Sequence, residues 1–384
     1  MARKGFGWVP NTRIPPPCGS VSATPIEPGP RADFYEARLG LWEHGQDEGR
    51  RARASIHERE LEWLSSPQDA RVAAVVSEQT GFAAWGIETQ MAEIPPGWHT
   101  GKHRHGEEAI YIVRGEGLVI VGERRGGERL YDFAGGTTIG IPFGATHQLY
   151  NTGREPVRYL SATPFPLERH LGLYHLEQLD GCGPTGSLPD VPASRDGLDS
   201  EGRRIRQLWA EARYRVGGLG LRARLEGWLR AGFDLAARRT GSHEAEHHAA
   251  RIASRIAHHG AWVRTMGSVG QMGFPNRLIT MSGFLVDNPG MQSGRHAHNE
   301  AVLYVAQGQG YTIVDGKELP WEAGTSLHIR GPQTVHQHFN TGSEPAFTLR
   351  IVNGLRPHIE DAAAEVFPPV WFEGARPIDS RSAR

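Results

Sequence analysis

Six histidines set out as two copies of one pattern constrain this chain more than any other feature. His103-Arg-His105 is followed by His147, 42 positions on, and His296-Ala-His298 is followed by His336, 38 positions on. On an extended segment, residues i and i+2 face the same way, so each His-x-His presents two imidazoles to one side. Neutral imidazole is a common ligand for divalent metals, and three of them converging leave positions open for water, oxygen or substrate. The copies agree beyond the histidines. Pro96-Gly97 matches Pro289-Gly290, Gly115-Glu-Gly117 matches Gly308-Gln-Gly310, and His147-Gln-Leu-Tyr-Asn151-Thr-Gly-Arg-Glu-Pro156 matches His336-Gln-His-Phe-Asn340-Thr-Gly-Ser-Glu-Pro345. The length difference falls in one hairpin, around Glu123-Arg-Arg-Gly-Gly-Glu, where a loop tolerates insertion and a metal shell does not.

Around these copies the chain reads as five segments. Residues 1–69 form an N-terminal arm, rich in Pro and Gly at first, with short helical elements at Ala32–Ala54 and Glu58–Leu64. Residues 70–168 and 262–357 carry short β-branched runs such as Val72–Val76, Phe82–Ile87, Tyr111-Ile-Val and Leu118–Val121, bounded by Gly or Pro, which predict many short strands. Between them, residues 169–261 predict a helical connector, with helical spacing over Ser200–Arg215, Leu219–Arg239 and Ser242–His259. Residues 358–384 form a tail whose Phe367, Pro368, Pro369 and Trp371 suggest a docking strap.

Composition narrows the partners. With 384 residues, 38% hydrophobic, 22% charged and a net charge of -1, the chain is ordinary for a two-domain globular protein and lacks the basic surplus that nucleic acid binding needs. No run is long and apolar enough for a transmembrane helix, and Met1–Trp8 has no apolar stretch of a secretory signal. Two cysteines, Cys18 and Cys182, make no disulfide framework, so a cytoplasmic location is expected, with no membrane partner. An N-terminal arm beside edge-rich sheets suggests a homo-oligomer.

Gly97-x5-His103-x-His105, with Gly136-x5-Pro142-x-Gly144-x2-His147-x3-Asn151, resembles the two signature motifs of the cupin superfamily, and two copies resemble a bicupin. The resemblance covers about half of the chain. It implies a mainly β fold of two cupin barrels, double-stranded β-helices or jelly rolls, joined by the helical connector, each holding one metal on inward strand residues. Cupins add a glutamate to three histidines. That position falls on Glu108 in the first copy and on Ala301 in the second, while Glu107 and Glu300 lie one residue earlier and so face the other way on a regular strand, although a loop one residue shorter than usual leaves either able to swing in as a ligand. An alanine there resembles the gentisate 1,2-dioxygenase group of bicupins, whose iron is held by three histidines.

The expected ligands are therefore His103, His105, His147 and Glu108 in one barrel and His296, His298 and His336 in the other, with Fe(II) the first choice of metal and Mn(II) the alternative. His338, two residues from His336 and replaced by Leu149 in the first copy, is the expected acid, base or phenolate partner. Arg330 is the expected partner of a substrate carboxylate, with Arg350 and Arg104 the lesser choices. The resemblance implies O2-dependent ring cleavage of a hydroxylated aromatic acid or phenol, centred on the second barrel. The alternatives are a manganese bicupin of the oxalate decarboxylase type and a non-catalytic metal-containing binder or sensor of small carboxylates. His243-Glu244-Ala-Glu-His247 matches the zinc-peptidase pattern but is read as a solvated face of the connector.

Overall fold

A computed structural model describes residues 33–207, 274–286, 289–355 and 376–378. The chain divides into two compact units, residues 1–47 and 48–384. Of the first, the described part is the opening of the helix Phe34–Arg51, started by Asp33, whose side chain accepts the Glu36 N–H at 2.9 Å. Both barrels lie in the second unit. Among the described residues, no helix is long and apolar enough to cross a membrane.

Each barrel is a pair of antiparallel sheets. In the first, one sheet runs Arg206–Gln207, Thr138–Ile141, Glu108–Arg114, Val157–Thr163, Glu88–Ile94, Arg71–Ala74. The facing sheet centres on His147–Asn151, which pairs with His103–Arg104, Trp98–His99 and Glu116–Gly122. The second barrel repeats this, with Ser55–His57, Thr325–Ile329, Ala301–Gln307, Ala346–Asn353 and Ile279–Val286 facing a sheet centred on His336–Asn340. The Gly-x-Gly turns are explained by the register. Gly115 and Gly308 have φ of +90° and +97°, and a Cβ on Gly117 or Gly310 would run into the carbonyl of Tyr150 or Phe339 across the ladder.

Period-two alternation places two cores with one strand. On Glu108–Arg114, Ile110 and Ile112 enter the first barrel beside Val119, Phe133 and Leu149, while Ala109 and Tyr111 turn outward. On Ala301–Gln307, Ala301, Leu303 and Val305 enter the second barrel, while Val302 and Tyr304 turn outward. The outward faces share one core, with Tyr111 and Tyr304 rings 6.4 Å apart, so the barrels stack sheet on sheet. This is why these runs read as continuously apolar.

Two segments outside the barrel repeats are strands of those barrels. Ser55–His57 pairs with Thr325–Ile329 of the second barrel, and Arg206–Gln207 pairs with Thr138–Ile141 of the first. The second pairing corrects the helix expected over Ser200–Arg215. Its described portion is a turn, in which the Asp199 carboxylate accepts the Glu201 and Arg203 N–H groups, followed by a strand, because Ile205 enters the first-barrel core. Among the described residues, the connector after the helix Phe165–Leu171 holds turns and short strands only. The strand expected over Phe82–Ile87 begins instead at Glu88, and Phe82, Ala84 and Ile87 pack as irregular chain into the core between the barrels. The helices expected over Leu219–Arg239 and Ser242–His259, His243-Glu244-Ala-Glu-His247, and the aromatic residues of the tail lie outside the described residues.

Candidate metal centres

The six histidines assemble into two triads. In each, the ligand nitrogens lie within 4.8 Å of one another. Backbone carbonyls orient the rings: Nδ1 of His103 meets Gly101 O at 2.8 Å, His147 meets Ala145 O at 3.2 Å, His296 meets Gly294 O at 2.8 Å and His336 meets Thr334 O at 3.0 Å. In all four the carbonyl belongs to the residue two before, so the local strand geometry sets the tautomer. His298 uses Asn299 O at 2.6 Å. A carbonyl can only accept, hence Nδ1 carries the proton and Nε2 keeps its lone pair for a metal.

Glu108 completes the first triad. Its Oε2 lies 3.1 Å from His147 Nε2 and 3.5 Å from His105 Nε2, and makes no hydrogen bond. Its other oxygen accepts from Ser161. Burial opposes the Glu108 charge, but the two imidazoles, where Nε2 carries a proton in place of a metal, outweigh it and hold the carboxyl well below the usual range. Burial likewise disfavours charge on His105, yet Glu108 raises it. At His103 burial and the neighbouring His147 outweigh the Gly101 carbonyl and Glu108 and push it down to about 3, so it is neutral. Three imidazole nitrogens and one buried carboxylate oxygen fit the donor preferences of Mn(II), Fe(II) or Zn(II).

A cavity of about 380 Å³ opens on this triad. Besides the ligands, its wall includes Asp69, Glu88, Tyr159 and Glu168, against apolar Ile110, Leu149, Phe165 and Leu176. Burial raises Asp69 to about 7, although the Tyr159 hydroxyl donates to it and pulls the other way. Burial also raises Glu88 and Glu168. Asp69 and Tyr159 carry no sequence signal, since Asp69 precedes the repeat and its partner is 90 positions away.

The second triad is more deeply buried, with His296, His298 and His336 at 2%, 7% and 1% exposure. Its register confirms the alanine substitution: Ala301 pairs with Ile329 as Glu108 pairs with Ile141. Below it, the apolar trio Val119, Leu149 and Phe133 of the first barrel is replaced by Thr312, His338 and Trp321. The Trp321 indole donates to Thr312 Oγ1 at 3.0 Å, and Thr312 meets His338 Nδ1 at 2.9 Å. The His338 ring lies 5.4 Å from that of His336 and 6.0 Å from that of His296, beside the triad as the spacing predicts.

Glu107 and Glu300 turn away from the triads. The Glu107 carboxylate accepts the backbone N–H of Arg277 at 2.7 Å and of Leu278 at 2.5 Å, where the second barrel begins. Glu300 accepts the Trp85 N–H at 3.0 Å, just ahead of the first-barrel strand Glu88–Ile94, and meets His328 Nε2 at 3.1 Å. Arg330 pairs with Asp315 at 3.3 Å and its guanidinium lies against Gly49, so the charge expected to meet a substrate is already partnered. Arg104 is exposed and paired with Glu177.

Comparison with known proteins agrees with this geometry. The Cupin domain family model matches residues 90–163 and 283–352. The chain therefore carries two cupin domains, one per triad, and its architecture is that of a bicupin. No curated protein sequence matches it. A Bacillus subtilis oxalate decarboxylase structure superposes with a TM-score of 0.53 at 13% identity, covering 85% of this chain and 89% of that one. Another structure of that enzyme, from work on its Mn(II) centres, gives 0.52 at 13% identity over 85% and 89%. A formate complex of Lactobacillus farciminis oxalate decarboxylase gives 0.50 at 11% identity over 86% and 90%. At these identities the likeness speaks for the fold.

Proposed function

We propose that the protein is a metal-dependent enzyme acting on a small carboxylate by decarboxylation, as the oxalate decarboxylases do, with Mn(II) or Fe(II) held by His103, His105, His147 and Glu108. The observation that carries this reading is the buried, non-hydrogen-bonded Glu108 oxygen facing two imidazole nitrogens on the wall of a cavity. A bound divalent ion supplies a Lewis acid that polarises a coordinated oxygen donor.

The chain's own residues supply what the ion does not. Decarboxylation replaces a carbon–carboxylate bond with a carbon–hydrogen bond, so a proton must be delivered inside the cavity. Asp69, raised to about 7, keeps a proton there close to neutrality, and burial shifts Glu88 and Glu168 in the same direction. Ile110, Leu149, Phe165 and Leu176 keep the rest of the wall apolar and lower the local dielectric. Among the described residues no Lys or Arg lines this cavity, which favours a substrate of low negative charge.

The second reading, O2-dependent ring cleavage of a hydroxylated aromatic acid in the second barrel, is favoured by Ala301 in the glutamate position and by His338 beside the triad. Purified protein loaded with manganese or with iron separates the two, by carbon dioxide release from oxalate and other small carboxylates and by oxygen uptake with hydroxybenzoates and catechols. Carbon dioxide release that disappears in Glu108→Ala supports the first reading. Stoichiometric oxygen consumption with an aromatic, lost in His296→Ala and kept in His103→Ala, replaces it with the second.

A further inference from the structure

The second triad has a fourth imidazole beside it, and hydrogen bonding gives that ring the opposite tautomer from the ligands. His296, His298 and His336 each set Nδ1 against a backbone carbonyl, which only accepts, so Nδ1 carries their proton. His338 instead sets Nδ1 2.9 Å from the Thr312 hydroxyl, and that hydroxyl also receives the Trp321 indole N–H at 3.0 Å. Thr312 is fully buried, and among the described residues these two rings are its hydroxyl's partners. An indole only donates, so it occupies a lone pair of the oxygen and leaves the hydroxyl proton to be placed. His338 Nδ1 is its acceptor. The reverse arrangement, Nδ1–H donating to the hydroxyl, would strand a buried hydroxyl proton with nothing to receive it. In the neutral His338 ring the proton therefore sits on Nε2. Gly310 makes room for the relay, since a Cβ there would lie 2.7 Å from the Trp321 indole.

We propose that Thr312 and Trp321 are positioning residues that keep His338 out of the metal's ligand set, so that the second centre stays a three-histidine site with four imidazoles at hand. Neither nitrogen of His338 then has a lone pair for an ion, because that of Nδ1 is taken by Thr312 and Nε2 bears the proton. The tautomer is independent of any metal, whereas exclusion from the ligand set rests on the reading that His296, His298 and His336 hold one. Four imidazoles would fill a tetrahedral shell, and the relay keeps one position of it open. What the His338 ring offers is a hydrogen-bond donor rather than a base. The first barrel needs no such relay, since Val119, Leu149 and Phe133 bring no nitrogen to the same three positions.

Isotope labelling of the histidine nitrogens and long-range proton–nitrogen NMR test this on the full chain, metal-free and zinc-loaded. His338 is assigned by the loss of its signals in His338→Gln. Its Nε2 is expected to be the protonated nitrogen in both states, while zinc shifts the Nε2 signals of His296, His298 and His336. Thr312→Ser, which keeps a hydroxyl, should leave His338 unchanged. Thr312→Val, which removes it, should bring up the Nδ1–H form, with circular dichroism confirming the fold. A wild-type His338 with its proton on Nδ1, a zinc-shifted His338 Nε2, or an unchanged tautomer in Thr312→Val would overturn the proposal. Should Thr312→Val not fold, the wild-type spectra still decide, because they report tautomer and coordination together. Zinc that left every signal of the second triad in place would overturn the ligand-set claim along with the metal reading, while the metal-free spectrum tests the tautomer separately.

Discussion

Glu108 Oε2 and His147 Nε2 face each other at 3.1 Å across the first triad, the carboxylate oxygen having no hydrogen bond of its own. A buried charged oxygen left in that state is stabilised by a cation, and a divalent metal suits it better than a proton shared with imidazole. Glu108→Ala should therefore weaken Mn(II) binding at the first centre by at least about tenfold, roughly 1.4 kcal/mol. Competition against a chelating indicator measures it. An unchanged affinity would mean that Glu108 serves only Ser161 and the histidines.

The triads are separate, so their metals should be lost independently. His103→Ala and His296→Ala are each expected to lower bound metal from two equivalents to one, and the double variant to none, by elemental analysis after dialysis. A single substitution that emptied both centres would contradict independent sites.

Asp69 sets a pH dependence. Its carboxyl is raised from 3.8 to about 7 in the fold. The native state thus favours the protonated form, and that stabilisation is complete below 3.8 and lost as the pH rises through about 7. Asp69→Asn removes the ionisation while keeping an acceptor for Tyr159. In urea denaturation of metal-free protein, the variant should gain about 1–3 kcal/mol on the wild type between pH 5 and pH 8. A constant difference across that range would rule out a raised Asp69.

Glu107 and Glu300 should matter to stability rather than to metal content. Each is a buried carboxylate accepting backbone N–H from the other barrel's part of the chain. Glu107→Gln replaces one acceptor oxygen with an amide donor that faces other donors, and should cost about 2–3 kcal/mol of unfolding free energy. Both metal equivalents should remain. A stable variant that had lost the first metal would instead place Glu107 among the ligands.

The parts of the molecule that repeat with a short period are legible in the amino-acid sequence. Both triads and the position of His338 follow from side chains alternating along strands, Glu108 and its replacement by Ala301 follow from the resemblance to the cupin motif, and the fold brings each of them to its triad. Pairing between distant residues is not legible in this way. The partners of Glu107 and Glu300, Asp69 facing Tyr159, and the commitment of Arg330 to Asp315 depend on contacts that no local pattern encodes. The helix expected over Ser200–Arg215 fails as far as Gln207 for a related reason. Ile205, just ahead of the strand Arg206–Gln207, enters the first-barrel core, while the apolar residues of this stretch happen to satisfy a period near 3.6. The cavity at the first triad likewise takes part of its wall from residues 66–72 and 163–176, mostly outside the repeat.

The strand Ser55–His57 has a consequence for how this protein can be divided. It completes the edge of the barrel built from residues 279–353, although in sequence it precedes the other barrel. A fragment beginning after residue 261 would expose the backbone of Thr325–Ile329 as an open template for self-association. A fragment ending before Arg206 would do the same to Thr138–Ile141. The two halves are braided rather than strung in series, and cutting the chain where the repeats end would sever both.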